Sequence, residues 1–232
     1  MPRELHLYDH LLRFPLFQGL SRTELMQMAG NTKFGFLKVA AGKMVVKEGD
    51  ACQMFYFLVS GQLALVTRSD DRRYYVEESL SAPWLLQPDV LFGVHTRFSS
   101  SVRTVTESHF ITLSKDEVLR LLDDFLIFRL NLLNLLSTQS QRRGRQQWRR
   151  TPGSLRQRIV RFLMDHCVYP AGAKMVYILM EQLAHELNDS RLDISRTLNA
   201  LQADGLLVLH RGRIEVPSLE RLISQSADSP SD

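Results

Sequence analysis

Apolar positions recur along this chain with two different periods. Over residues 32–39, 44–47, 54–60, 62–68, 73–79 and 102–113 they form short runs rich in β-branched and aromatic side chains, broken at Ala41-Gly42, Glu48-Gly49-Asp50, Ser60-Gly61 and Ser69-Asp70-Asp71. Many short strands joined by glycine turns predict a barrel or jelly roll. Ahead of them residues 4–30 read as helical, with Ser21 placed to cap a helix from Arg22.

Behind the strands the helical period takes over. Ser114 is placed to cap a short helix to Leu122, and a long helix is expected over 124–150. In its first part Leu126, Ile127, Phe128, Leu130, Leu132, Leu133, Leu135 and Leu136 cover more than one stripe, so this helix has two faces to bury. One face is expected to cover the β-domain. The other is expected to meet the same helix of a second copy across a two-fold axis, through Leu126, Leu130, Leu133, Ser137 and Ser140. Burial of both faces within one chain is the alternative. Thr151-Pro152 reads as an N-cap with proline at the first helical position, which starts a helix to His166 and marks a domain boundary.

A strand over 175–179 then leads to two short amphipathic helices, 180–187 and 191–203, separated by Asn188, Asp189 and Ser190. That is the length of a helix-turn-helix. Ser190 is placed as the N-cap of the second helix and Gly205 as its C′ glycine. Ile194, Leu198 and Leu201 form the buried stripe, leaving Arg191, Leu192, Asp193, Ser195, Arg196 and Asn199 on the outer side with Ser190. A hairpin follows, 206–209 and 213–216 around Arg211-Gly212, with Arg211 and Arg213 at its tip as in the wing of a winged helix. A short helix over 218–223 and a disordered polar tail from 224 complete the pattern.

Composition narrows the function classes. With 232 residues, 44% of them apolar and 23% charged, the chain has the make-up of an ordinary globular protein with room for two cores. Cys52 and Cys167 form no metal-ligand spacing or disulfide framework, so no metal or cofactor is expected and a reducing compartment fits. Residues 1–10 lack the apolar run of a signal peptide, and the most apolar stretch, 126–136, is broken by Arg129, Asn131 and Asn134. A cytoplasmic protein without a membrane partner is therefore expected. No phosphate-binding glycine loop, activated nucleophile or acid–base pair stands at meaningful spacing, so the chain does not read as an enzyme.

Net charge is +4 but unevenly placed: residues 1–124 hold 14 Lys/Arg against 15 Asp/Glu, and 125–232 hold 15 against 10. Residues 125–164 contain no acid and nine arginines (Arg129, Arg142, Arg143, Arg145, Arg149, Arg150, Arg156, Arg158 and Arg161). Beside a helix-turn-helix, such a run suggests contacts to DNA phosphates.

The run G-D-A-C-Q-M-F-Y-F-L-V-S-G-Q-L-A-L-V, residues 49–66, is similar to the two-glycine hairpin of cyclic-nucleotide-binding domains. S-R-L-D-I-S-R-T-L-N-A-L-Q-A-D-G-L-L, residues 190–207, resembles the recognition helix of the catabolite-activator and fumarate/nitrate-regulator (Crp/Fnr) family. The order of parts agrees over residues 12–216. The resemblance implies an α+β fold: an N-terminal β-roll, or cyclic-nucleotide-binding-like jelly roll (1–123), a long dimerisation helix (124–150), a C-terminal winged helix-turn-helix (151–223) and a tail (224–232). It further implies a transcription regulator that binds double-stranded DNA as a homodimer at a palindromic site, with RNA polymerase as a further partner. The recognition helices would enter successive major grooves about 34 Å apart. Arg191 and Arg196 match family arginines that contact bases, where arginine bridges guanine O6 and N7.

Three positions depart from the family pattern. Leu192 replaces a glutamate, so it cannot accept from cytosine N4 and implies a different half-site. Leu179 replaces a capping threonine, and Asn188 a turn glycine. The sensor loop departs further, reading L-F-G-V-H-T-R-F-S-S-S-V-R over residues 91–103. Cyclic-nucleotide binders carry a Gly-Glu pair and then an Arg with Ser or Thr; here Val94 follows Gly93 and the segment is short. Phe92, Gly93, His95, Arg97, Ser99 and Arg103, with Thr138 from the long helix, make the candidate effector pocket. Ser137, Thr138 and Ser140 equally suit a polar patch at the dimer seam. The expectation is an effector other than cyclic AMP, or none. A cyclic-nucleotide-responsive regulator and a ligand-sensing or protein-interaction module without DNA binding are the alternatives.

Overall fold

The computed structural model describes residues 2–148, 150 and 152–227. In chain order these form α1 (Pro2–Leu11), a 3-10 turn (Pro15–Phe17), α2 (Arg22–Asn31), β1 (Gly35–Val39), β2 (Met44–Val46), β3 (Met54–Ser60), β4 (Gln62–Arg68), β5 (Tyr75–Ser81), β6 (Trp84–Leu85) and a second 3-10 turn (Pro88–Val90). They continue with β7 (Ser101–Thr104), β8 (Ser108–Ser114), α3 (Lys115–Asp124), α4 (Leu126–Gln147), α5 (Leu155–Asp165), β9 (Lys174–Tyr177), α6 (Met180–Leu187), α7 (Arg191–Ala203), β10 (Val208–His210), β11 (Arg213–Val216) and α8 (Leu219–Ala227). The fold is α+β. Two compact units contain them: residues up to Leu63 with Leu80–Gln147, and Ala64–Ser79 with the chain from Trp148 onward.

In the first unit β1, β8, β3 and β6 form an antiparallel sheet in that order, and β2 pairs with β7. Partners in register share a face, so Phe36, Ile111 and Phe57 line one face of the sheet and Leu37, Phe110 and Leu58 the other. On the first face Phe57 meets Phe14 edge-on at 5.1 Å and Phe17 at 5.5 Å, while Phe17 meets Phe128 of α4 at 5.4 Å. Asn131 then anchors α4 by donating to the carbonyls of Leu16 (3.1 Å) and Gln18 (2.8 Å). The turn from β3 into β4 requires Gly61: its φ is +106°, and a Cβ there would lie 2.8 Å from the Glu107 carbonyl.

The stretch expected as one strand over 102–113 is two strands. Val105 and Thr106 leave the ladder because their amides donate to the Gln62 carbonyl, and the Thr106 hydroxyl accepts from the Gln62 amide (3.0 Å). β6 was not expected from the pattern. Ser21 and Ser114 cap α2 and α3 as expected, Ser21 within a reciprocal capping box with Glu24.

The second unit contains a piece of chain that the linear pattern assigns to the β-roll. β10, β11, β9, β5 and β4 run in that order, because Tyr75–Glu78 pair antiparallel with Tyr177–Lys174. Tyr75 stacks on Tyr177 at 4.3 Å, and Val76 is buried opposite Val176. Next in register, Glu78 meets Lys174 with both side chains shut off from water. Glu78 accepts from Lys174 Nζ (2.8 Å) and from the amides of Val168 (2.6 Å) and Tyr169 (3.0 Å). Lys174 Nζ also lies 5.6 Å from the centre of the Tyr169 ring.

Tyr74 extends this join. It packs on Phe162 and donates to His166 Nε2 (2.9 Å), while His166 Nδ1 gives its hydrogen to the Phe162 carbonyl (2.8 Å). Burial pushes the Tyr74 phenol up to about 12, with Glu186, Asp71 and Asp70 adding to the effect, so it keeps its proton. The helix expected from Thr151-Pro152 starts instead at Leu155, where Ser154 caps it by accepting from the Gln157 amide (3.2 Å); Thr151 lies outside the described residues. Residues 224–227, expected as tail, belong instead to α8, which runs through Ala227; residues 228–232 lie outside the described residues.

Removing one partner from a buried, hydrogen-bonded ion pair costs about 3–5 kcal/mol. Glu78→Ala strips an acceptor from three donors and is expected to destabilise the second unit more than Lys174→Met, which leaves Glu78 its two amides. Urea unfolding of both variants checks the order.

Candidate DNA-binding face and sensor loop

The paired helices are closed by local chemistry at three of their four ends. α6 ends on Asn188 in the left-handed region (φ 49°), with Asn188 and Asp189 amides donating back to His185 and Ala184. α7 ends in the same way on Gly205 (φ 68°), with Gly205 and Leu206 amides donating to Gln202 and Leu201. Both are Schellman closures, which need a residue that tolerates positive φ. Ser190 opens α7: its hydroxyl accepts from the Asp193 amide (3.0 Å) and donates to Asp193 Oδ2 (2.6 Å). The fourth end, at Leu179, has no side-chain cap although its backbone is extended as a cap's should be.

Ile194, Leu198 and Leu201 are fully buried against Leu183, Ile159 and Leu163 in one core. On the other side of α7, Arg191, Leu192, Asp193, Arg196 and Asn199 are exposed with Ser190, and Ser195 is half-buried. Arg196 reaches Asp193 at 3.6 Å with both side chains open to solvent, a contact worth about 0–1 kcal/mol. Arg191 makes no ion pair among the described residues. These guanidinium groups are therefore cheap to redirect to another partner.

The wing is tied to the same helix, since Gln202 Oε1 accepts from the Leu209 amide (2.6 Å). β10 pairs with β11 around Gly212 (φ 76°), and Arg211 and Arg213 are exposed at the tip. Several arginines of the acid-free run have internal partners that the pattern does not reveal, Arg143 with Asp89 (2.9 Å) among them. Arg158 donates to the Leu187 carbonyl (2.9 Å) and Asp189 (2.5 Å), clamping the turn between α6 and α7. Arg156 pairs with Asp204 (2.7 Å), and Arg161 with Asp165 (3.4 Å). Their acidic partners lie beyond the acid-free window, so counting charge inside it overstates the free cations.

On α4 the residues expected at a dimer seam, Leu126, Leu130, Leu133, Ser137 and Ser140, are all exposed, while Phe128 and Leu132 are buried. The exposed five follow heptad spacing along one side of the helix.

The sensor loop is closed on itself. Gln87 adopts a left-handed backbone (φ 35°), sparsely populated for a non-glycine residue, and its side chain makes four hydrogen bonds. Its Oε1 accepts from the Ser99 amide and hydroxyl (both 2.9 Å) and the Ser100 amide (3.2 Å), and its Nε2 donates to the Ser100 carbonyl (2.9 Å). Arg97 donates to the Gly49 carbonyl (2.7 Å). Phe92 is half-buried with Lys115 Nζ 5.3 Å from its ring centre; Gly93, Val94 and His95 are exposed. Arg103 is half-buried on β7 opposite Met44, and Thr138 is exposed on α4. Phe98 is buried beside Tyr56 at 6.4 Å. Gln87 carries no local signal in the sequence beyond its position before Pro88.

Comparison with known proteins agrees with this construction. Residues 36–125 match the family model of the cyclic nucleotide-binding domain, and residues 157–224 that of the Crp-like helix-turn-helix domain. Together they cover about two thirds of the chain. The chain is similar to the sensor domain of the transcriptional regulator DNR from Pseudomonas aeruginosa, at 22% identity and a TM-score of 0.52 over 67% of this chain and 100% of that one. It is also similar to the catabolite activator protein of Thermus thermophilus (21% identity, 91% and 97% coverage, TM-score 0.49). A third likeness is the c-di-GMP-responsive global regulator CLP of Xanthomonas campestris (21% identity, 84% and 98% coverage, TM-score 0.47). No curated protein matches the chain. With both domain models matched in order, the chain belongs to the Crp/Fnr family and is a DNA-binding transcription regulator. Among the described residues no helix is long and apolar enough to cross a membrane.

Because Leu179 already has cap geometry, Leu179→Thr is expected to stabilise the second unit by about 0.5–1 kcal/mol. Thermal unfolding at matched protein concentration checks it, the expected sign being a rise in midpoint.

Proposed function

We propose that the protein regulates transcription as a homodimer on a palindromic site in double-stranded DNA, with an effector other than cyclic AMP or with none. The observation that carries this reading is the division of α7 into a fully buried apolar stripe and an exposed polar side with two arginines. A helix held so firmly on one side offers rigid placement of Arg191 and Arg196 on base edges, with Leu192 meeting a thymine methyl or another apolar edge. Ser190, Asp193, Ser195 and Asn199 flank them, and Arg211 and Arg213 of the wing take phosphates.

The exposed heptad stripe of α4 supports the dimer. Leu126, Leu130 and Leu133 are 59%, 44% and 53% exposed, and a second copy of the helix would cover them. RNA polymerase is the further protein partner that this reading implies. Against cyclic AMP stands the loop chemistry: Val94 occupies the place of a ribose-binding acid, and Gln87 already satisfies the amides of Ser99 and Ser100. Anion binding there would have to break those bonds.

Arg191→Ala is expected to relax specificity at one base position, losing about 1–3 kcal/mol of discrimination. Arg211→Ala is expected to weaken all duplexes alike and lower the salt slope by about one. Gel-shift titrations across salt concentrations separate the two, and adding cyclic AMP is expected to leave them unchanged. Leu130→Asp, at an exposed position of the single chain, is expected to shift sedimentation to monomer and to lose DNA binding with it.

A further inference from the structure

An open cavity of about 860 Å³ lies in the first unit between α1 and the sheet, a volume within the range of small-ligand sites. Phe36, Lys38, Val59, His109 and Ile111 line it from the face of the sheet that carries Phe57, and Leu37 and Phe110 also border it. The sensor loop contributes nothing to its lining. Phe36 is 72% exposed there, a large aromatic on the same sheet face as the buried Val59 and Ile111. Leu7 of α1 supplies the facing apolar wall.

The cavity's polar lining residues are His10, Arg13, Lys38, Ser60 and His109. Lys38 and His109 border the cavity, but Glu107 engages both, at 2.9 and 3.5 Å. Hydrogen bonding from Lys38, above all, holds the Glu107 carboxyl below its usual range, so that cluster is already neutralised. Arg13 is different. Its guanidinium donates to the Val59 carbonyl (3.3 Å) and has no carboxylate partner among the described residues; His10, three residues earlier, also lines the cavity. Among the described residues the groove therefore combines an apolar floor with the Arg13 cation, which no carboxylate engages. A nucleotide fits that chemistry poorly, because Glu107 already engages the Lys38 and His109 groups that several phosphate charges would need. An amphipathic monoanion fits it.

We propose that this groove binds the anion of a free long-chain fatty acid, its alkyl chain along Phe36, Val59 and Ile111 and its carboxylate on Arg13 beside His10. The pairing uses a charge-assisted, bidentate hydrogen bond of the kind arginine forms with carboxylates. The proposal stands independently of DNA binding.

Calorimetric titration of the full-length protein with palmitate, kept below its aggregation range, tests it. Saturable binding is expected, weakened about tenfold or more by Arg13→Gln and only partly restored by Arg13→Lys, which returns the charge without the bidentate fork. Hexadecanol, which has the chain without the charge, is expected to bind wild type and Arg13→Gln alike. Phe36→Asp, at a position already open to water, is expected to abolish palmitate binding with thermal stability retained. Absence of saturable palmitate binding, equal affinity of wild type and Arg13→Gln, or binding to phosphatidylglycerol vesicles without binding to palmitate would each overturn the proposal.

Discussion

Glu78 is a carboxylate shut away from water, and Lys174 and two backbone amides converge on it. A buried ion is tolerated only when its partners are complete. That condition fixes several parts of the second unit at once: the register of β5 on β9, the start of the loop after α5, and the position of Lys174 beneath Tyr169. The Tyr75–Tyr177 stack and the Tyr74–His166 hydrogen bond extend the same join. The β4–β5 hairpin is thus a structural member of the DNA-binding unit, and the sheet behind α7 is built partly from chain that precedes it by about half the sequence.

From that sheet the rigidity passes to the recognition helix. β9 pairs with β11, β11 with β10, and Gln202 of α7 holds the Leu209 amide of β10. Arg158 clamps the turn on the other side. A reader of base edges needs this kind of fixed placement, because hydrogen bonds to a base tolerate little error in distance. The side chains that face outward are held only by exposed, weak contacts such as Arg196 with Asp193. Firm backbone and lightly held side chains together suit a surface that exchanges water for DNA.

Legibility in the sequence followed the range of the interaction. α6 and α7 have the bounds that the pattern predicts, because Ser190, Asn188 and Gly205 act through hydrogen bonds to residues within a few positions. The strands of the β-roll are legible where glycine turns separate them, and fail to be at 102–113, where the break comes from Gln62, far away in sequence. The hairpin's place in the second unit depends on Glu78 finding Lys174, and the closed sensor loop depends on Gln87 finding Ser99 and Ser100; no local pattern encodes either. The arginine run misled in a related way, since Asp189 and Asp204, which use Arg158 and Arg156, stand outside it. The helix expected from 151 starts at Leu155 because a further capping residue, Ser154, lies three positions on.

The central claim is that α7 reads a specific sequence twice, once in each half of a symmetric pair. Selection from a random duplex pool with the full-length protein tests this most directly. The account predicts an inverted repeat whose half-site centres lie about one helical turn apart, roughly 34 Å, with a half-site different from that of the catabolite activator because Leu192 cannot accept from cytosine. Enrichment of no sequence, of a single unsymmetric site, or of the catabolite activator's own half-site would contradict it.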